Sequence, residues 1–179
     1  GSSKGIRPTS LAHSTAQMQQ EVNRLLGCYQ QPVMVEEFIS GDEVTVGIVG
    51  NSPPRVLGMM RILPRKKFEH FVYSTEVKRD WRNLVDYECP PRLEDKVLGN
   101  IAVSSLKAFE VLGCRDFARQ DFRVSPEGIP YFLEINPLPG LGDYSDLVIM
   151  ALKLGWSYEG LIEAVLNAAL ERYPMCVPK

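Results

Sequence analysis

The chain has 179 residues, 45% hydrophobic and 23% charged, an ordinary balance for a globular protein long enough to bury a substantial core. Its 20 basic and 22 acidic residues leave a formal charge of −2, which excludes the broad basic surface of a nucleic-acid or membrane-surface binder. Cys28, Cys89, Cys114 and Cys176 form no CxxC pair, and no apolar run reaches the roughly 20 residues that span a bilayer, so the expected setting is a reducing cytoplasm without zinc, disulfides or membrane.

Gly1-Ser-Ser-Lys-Gly5-Ile is a loop composition with no strand before it, which predicts a truncated chain. Ser14-Thr-Ala-Gln17 is a capping-box signature, and Met18, Val22, Leu25 and Leu26 recur at helical spacing until Gly27. Pro32–Ile39 reads as a strand, Ser40-Gly-Asp42 as a turn and Glu43–Val49 as a second strand with alternating apolar residues. Asn51-Ser-Pro-Pro54 marks a turn before a third strand over Arg55–Leu63, and Pro64-Arg-Lys-Lys67 reads as a solvated loop. Phe71–Lys78 fits either a short strand or an ordered loop. Pro90 and Pro91 lead into a long helix whose apolar face is Leu93, Val97, Leu98, Ile101, Leu106 and Phe109, ending near Gly113. Strands around Asp121 and Glu134 follow, joined by the turn signal Ser125-Pro-Glu-Gly128. Ser145 and Ser157 then cap two final helices, with Pro174 ending the last. Strands and helices come in blocks rather than in a strand-helix-strand rhythm. The predicted class is therefore α+β, an antiparallel sheet backed by helices.

The chemistry-bearing residues cluster around the hairpin. Asp121 lies in Phe117-Ala-Arg-Gln-Asp121-Phe-Arg, and Glu134 and Asn136 in Tyr131-Phe-Leu-Glu134-Ile-Asn136-Pro. An antiparallel turn brings the two segments together, and a spacing of two puts Glu134 and Asn136 on one side of a strand. Two carboxylates and a neutral amide oxygen suit a hard divalent cation that also takes phosphate oxygens, which points to a magnesium-nucleotide site; apolar neighbours on both strands suggest a mostly covered sheet. Pro137-Leu-Pro-Gly140-Leu-Gly142 is a restricted loop that can approach a ligand closely. Elsewhere, Gly1–Gly5 could present backbone N–H groups to phosphate. Val35-Glu-Glu-Phe-Ile39 and Glu43 could read an adenine edge and a ribose diol, or form an ordinary acidic surface strand. Lys78 and Arg119 are candidate phosphate counter-charges, though either could be a plain surface cation. His13 and His70 have no sequence partner for nucleophilic catalysis.

Taken together, Gly1-Ser-Ser-Lys-Gly-Ile, Val35-Glu-Glu-Phe-Ile-Ser-Gly-Asp-Glu43, Gly113-Cys-Arg-Asp-Phe-Ala-Arg119-Gln-Asp121 and Leu133-Glu-Ile-Asn-Pro-Leu-Pro-Gly140 resemble the ATP-grasp superfamily, and within it the C-terminal part of the D-alanine–D-alanine ligases. The resemblance implies that residues 1–179 form the nucleotide- and metal-binding domain of a carboxylate-amine ligase working through an acyl phosphate and supplying peptidoglycan precursors in the cytoplasm. It implies two Mg²⁺ ions, or Mn²⁺ in their place, on Asp121, Glu134 and Asn136. Glu36, Glu37 and Ile39 would line the adenine site, Glu43 would bind ribose and Lys78 phosphates. Arg119 would contact the transferring phosphoryl group, with Ser2 and Ser3 in the lid over it, and Gly140 and Ser145 would lie at the acceptor end. Its partners would be ATP and small amino acids, with a homodimer allowed. The family's N-terminal substrate domain and an upstream phosphate-binding Lys are not in this sequence, so the chain by itself is expected to be inactive or nearly so. Three positions depart from the family pattern: Arg79 replaces the usual Tyr, Pro137 the usual Thr, and Gln120 an apolar residue. A different amino-acid or hydroxy-acid acceptor, or a non-catalytic nucleotide-binding module, would be compatible with the same segments.

Overall fold

The structure, a computed structural model, describes residues 7, 10–66 and 71–176. The chain divides into two compact units, one made of Gly1–Ser40 and Pro64–Asp86, the other of Gly41–Leu63 and Tyr87–Lys179.

The larger unit is built on an antiparallel arrangement of β1 (Asp42–Val49), β2 (Arg55–Pro64), β4 (Phe117–Val124) and β5 (Pro130–Asn136). With β3 (Val85–Glu88), the strand order is β3-β2-β1-β4-β5. The α+β class read from the sequence is the observed one. Because side chains alternate along a strand, β1 sends Val44, Val46 and Ile48 to one face. There they pack with Ala118, Phe122 and Val124 of β4 and with Val97, Ile101 and Phe109 of α4 (Asp95–Val111). With buried Ser105 between Ile101 and Phe109, these α4 positions recur every four residues, the stripe that a helix needs to lie on a sheet. Gln120 belongs to this same buried face, and its amide donates to the Ser105 carbonyl of α4 at 2.8 Å, which gives the polar substitution a hydrogen-bonded place in the core.

The opposite face of β1 carries Thr45 and Gly47. Gly47 pairs with Gly58 of β2, so two adjacent strands lack side chains at one spot. A Cβ on Gly47 would stand 2.7 Å from Leu147 Cδ1, and one on Gly58 would stand 2.3 Å from Leu154 Cδ1. The paired glycines are therefore the seat on which α5 (Asp146–Lys153) rests, and Leu147, Val148 and Ala151 form a second apolar cluster with Leu161 of α6 (Tyr158–Arg172).

Asp116, in the turn before β4, ties three elements together. It adopts a φ of 68°, a left-handed conformation that Asp tolerates better than most residues. Its carboxylate accepts hydrogen bonds from Arg172 of α6 and from Asn51 of the β1–β2 turn, and its backbone N–H donates to Asn51 Oδ1 at 2.8 Å. The Arg172 hydrogen bonds hold the Asp116 carboxyl below its ordinary range; burial opposes them and Asn51 assists. A lowered folded-state value stabilises the fold fully above the unfolded value of about 3.9, and that contribution disappears as pH falls through the folded value. Asp116→Asn is accordingly expected to melt at a lower temperature at pH 7 and to show a shallower loss of stability below about pH 4. Thermal melts from pH 7 down to 2 would check this, and parallel acid limbs would show that the pair adds nothing net.

In the smaller unit, α1 (Thr15–Tyr29) begins at Ser14, whose hydroxyl accepts from Gln17 N–H as the capping box predicts. The helix does not stop at Gly27. A helical glycine costs only about 1 kcal/mol relative to alanine, and the end comes at Gln30, with a left-handed φ of 51°. Pro32–Ile39 is irregular rather than a strand. No described strand pairs with it, and Met34 and Val35 are exposed, so β propensity has neither ladder nor core to act on. Phe71–Lys78 is neither of the two expected forms throughout: residues 71–74 are irregular, and α2 (Thr75–Arg79) starts at Ser74, whose buried hydroxyl caps Val77 N–H. A single turn, α3 (Trp81–Leu84), follows.

Candidate functional site

The cross-strand register assembles the main cluster. Asp121 and Arg119 of β4 stand opposite Glu134 and Asn136 of β5, and on the other side opposite Thr45 and Gly47 of β1. The β4/β5 register shifts between Asp121 and Phe122, whose partners are Glu134 and Phe132, so Leu133 is an extra residue in β5. This bulge changes the face of the strand. Phe132 meets Phe122 edge-on at 5.5 Å on the side packed against α4, while Glu134 comes opposite Asp121 on the side that carries Arg119. β5 is the sheet's edge and is largely exposed, so the mostly covered sheet expected from the sequence holds for β4 and not for β5.

Arg119 is the electrostatic centre. Its side chain is 12% exposed and faces three carboxylates: Asp121 at 2.9 Å, Asp146 at 3.5 Å and Glu134 at 3.8 Å. Its Nε also donates to Asp121 Oδ1 at 3.2 Å, so one edge of the guanidinium grips Asp121 while Nη1 points to Asp146. Burial works against the charge, but Asp121 and Asp146 outweigh it and hold the group above its ordinary value. Thr45 Oγ1 donates to Asp121 Oδ1 at 3.0 Å and fixes that carboxylate from the third strand.

Farther along the same strands, Arg123 donates to Glu43 Oε2 at 3.4 Å and to the Gly41 carbonyl at 3.0 Å. Burial lowers the Arg123 pKa from its ordinary value, with Glu43 opposing. Beyond β5, the Ser145 hydroxyl donates to the Gly140 carbonyl and Ser145 N–H to Gly142 O, which closes the Pro137–Gly142 loop onto the start of α5. Tyr158 of α6 donates to the Leu141 carbonyl at 3.1 Å and pins the same loop from outside.

The larger unit thus brings together Arg119, Asp121, Glu134 and Asn136, holds Gly140 and Ser145 in one loop, and keeps Glu43 beside Arg123. In the smaller unit Glu36 and Glu37 are exposed, Ile39 is half-buried, and Lys78 lies half-buried with Nζ 4.9 Å from the centre of the Tyr73 ring. Ser2, Ser3 and His70 lie outside the described residues. Sequence reasoning missed Thr45, Arg123 and Asp146. Thr45 is the polar interruption in Val44-Thr-Val46, a visible signal, whereas Asp146 reads merely as a first-turn acid of a helix.

Among the described residues, no three His, Cys, Asp or Glu side chains form a ready-made metal cage. The donor set of Asp121, Glu134 and Asn136 nevertheless suits Mg²⁺, which keeps water or phosphate oxygens of its own and needs only one or two protein carboxylates. Arg119 offsets only part of the negative charge of Asp121, Glu134 and Asp146, so a further cation is electrostatically favoured at this spot. Among the described residues, no helix is long and apolar enough to cross a membrane.

Comparison with known proteins gives a consistent picture. Residues 1–167 match the family model described as D-ala D-ala ligase C-terminus. The chain is 36% identical over 163 residues to the uncharacterized protein y4sG of Sinorhizobium fredii, an alignment covering 91% of this chain and 48% of the relative. It is 33% identical over 169 residues to the D-alanine–D-alanine ligase of Geotalea uraniireducens, covering 94% and 51%. The chain spans about half the length of the curated relatives it matches. The fold is similar to that of the Bacillus anthracis D-alanine–D-alanine ligase solved with ATP, with a TM-score of 0.72 at 23% identity over 89% of this chain and 49% of that one.

Proposed function

Because the chain belongs to the D-alanine–D-alanine ligase family, through its C-terminal part, we propose that residues 1–179 are the ATP- and Mg²⁺-binding domain of a cytoplasmic ATP-grasp carboxylate-amine ligase, with D-alanine–D-alanine ligation as its reaction. The observation that carries the reading is the cross-strand set of Asp121 opposite Glu134 and Arg119 opposite Asn136: two carboxylates on a nearly buried guanidinium, with an amide residue in register beside them.

In this reaction a carboxylate oxygen of the first amino acid attacks the γ-phosphorus of ATP and ADP departs. The amine of the second then attacks the acyl carbon; the C–N bond forms, the amine loses a proton and inorganic phosphate leaves. Such chemistry needs positioning and charge neutralisation rather than a side-chain nucleophile. When bound, Mg²⁺ on Asp121, Glu134 and Asn136 would neutralise phosphate charge. Arg119 would turn its Nε/Nη2 edge, which grips Asp121 in the structure, to the transferring phosphoryl oxygens, where a planar fork of donors matches the charge that develops. Thr45 keeps Asp121 oriented. Glu43, steadied by Arg123, is the acceptor offered to a ribose diol. The Gly140–Ser145 loop forms the acceptor end, its hydroxyl-to-carbonyl bond fixing the backbone there. The roles of Glu36, Glu37 and Ile39 toward adenine, Lys78 toward phosphates, and Ser2 and Ser3 in a lid rest on the family resemblance.

Calorimetric titration of this chain with ADP and ATP, with and without Mg²⁺, tests the reading. Nucleotide binding that requires Mg²⁺ is the expected result; a folded chain that binds neither nucleotide, or binds them equally without the metal, would overturn it. ADP release by the full-length protein across candidate amino acids and hydroxy acids then separates a ligase from a binding module and identifies the acceptor.

A further inference from the structure

Asp146 is a buried carboxylate that the proposed function leaves without a role. Its side chain is 9% exposed, at the first position of α5, and its Oδ2 stands 3.5 Å from Arg119 Nη1. The other two carboxylates on Arg119, Asp121 and Glu134, are those assigned to the metal. If they serve that purpose and the Nε/Nη2 edge turns to phosphoryl oxygens, a nearly buried guanidinium loses both strand partners at once. A long side chain in that condition would be both costly to keep charged and free to rotate.

Asp146 meets both problems. It approaches from the Nη1 side, away from the edge that grips Asp121, so the two sets of contacts do not compete. Its own position does not depend on the strand carboxylates. α5 is seated on Gly47 and Gly58 through Leu147 and Leu154, and Ser145 is bonded to Gly140. The start of a helix also favours an anion. Resting on the nucleotide-site reading above, we propose that Asp146 is a positioning residue, a fixed anchor that holds Arg119 by one nitrogen while its other edge is released to the terminal phosphate of ATP.

The test is titration of the chain with Mg-ATP and Mg-ADP, since only ATP carries the phosphate that Arg119 would reach. Asp146→Asn, nearly isosteric, is expected to lower affinity for Mg-ATP about tenfold, the worth of one charge-assisted contact, while moving that for Mg-ADP about twofold or less. Asp146→Ser, which differs in shape but equally lacks the charge, should repeat the pattern and guards against a packing defect of the first variant. In an Arg119→Ala background, Asp146→Asn should change neither affinity, because the guanidinium that Asp146 holds is gone. An unchanged ATP affinity in Asp146→Asn, an equal loss for both nucleotides, or a penalty that persists without Arg119 would each overturn the role. A parent chain that binds neither Mg-nucleotide would instead overturn the nucleotide site itself, a result seen before any variant is made.

Discussion

Glu134→Gln is expected to lower the Mg²⁺-dependent affinity for ADP and ATP by at least about 100-fold, since loss of groups that merely support a ligand already costs about 10- to 100-fold. The same variant should keep its melting temperature within about 2 °C of the parent, as an exposed substitution makes little difference to stability. Both halves follow from its place. The Glu134 side chain is 59% exposed on an edge strand, and its ion pair with Arg119 is long, at 3.8 Å, so folding gains little from it. Asp121 would be a poorer probe, because Arg119 and Thr45 both depend on it and its loss would disturb ligand and scaffold together. Calorimetry beside a circular-dichroism melt reads both quantities on one sample. Unchanged affinity would move the metal away from β5; a large drop in melting temperature would mean that Glu134 acts through the fold.

How legible this site was depends on the range of the interactions that make it. The long α4 helix and the Asp121–Glu134 hairpin are local patterns, written as a four-residue recurrence and a Ser125-Pro-Glu-Gly128 turn, and both appear in the structure. Capping is equally local at Ser14 and Ser157. Ser145 occupies the expected cap position but uses its hydroxyl on Gly140 instead, because the loop before α5 is closed by it. What could not be read are the features set by a partner distant in sequence. Pro32–Ile39 has strand composition without a described strand beside it, and composition alone cannot supply one. The bulge at Leu133 obeys the pairing of Phe132 with Phe122, which overrides the period-two alternation of β5. Asp146 reaches Arg119 across 27 positions only because Gly47 and Gly58 let α5 come down on the sheet, and no run of residues near either end announces that approach.

Phe122→Ala is the substitution expected to cost the fold most, about 3–5 kcal/mol. Phe122 is 1% exposed, adjoins Asp121 at the register shift, touches Phe132 edge-on and shares its core cluster with Val97, Ile101 and Phe109 of α4. Truncation leaves a cavity between sheet and helix that rigid neighbours on both sides cannot fill. Urea unfolding followed by far-ultraviolet circular dichroism measures the loss, and a cost below about 1 kcal/mol would mean that this face of β4 is not packed as described. The effect on the site should be of a different kind from that of Glu134→Gln. Phe122 and Phe132 fix which face of β5 Glu134 occupies, so a folded Phe122→Ala chain is expected to lose Mg-nucleotide affinity along with its stability, under conditions where Glu134→Gln loses affinity alone. If Phe122→Ala were instead strongly destabilised yet bound Mg-nucleotide as tightly as the parent, the bulge would not be what brings Glu134 to Asp121, and the pairing of those two carboxylates would have to be held from the Arg119 side.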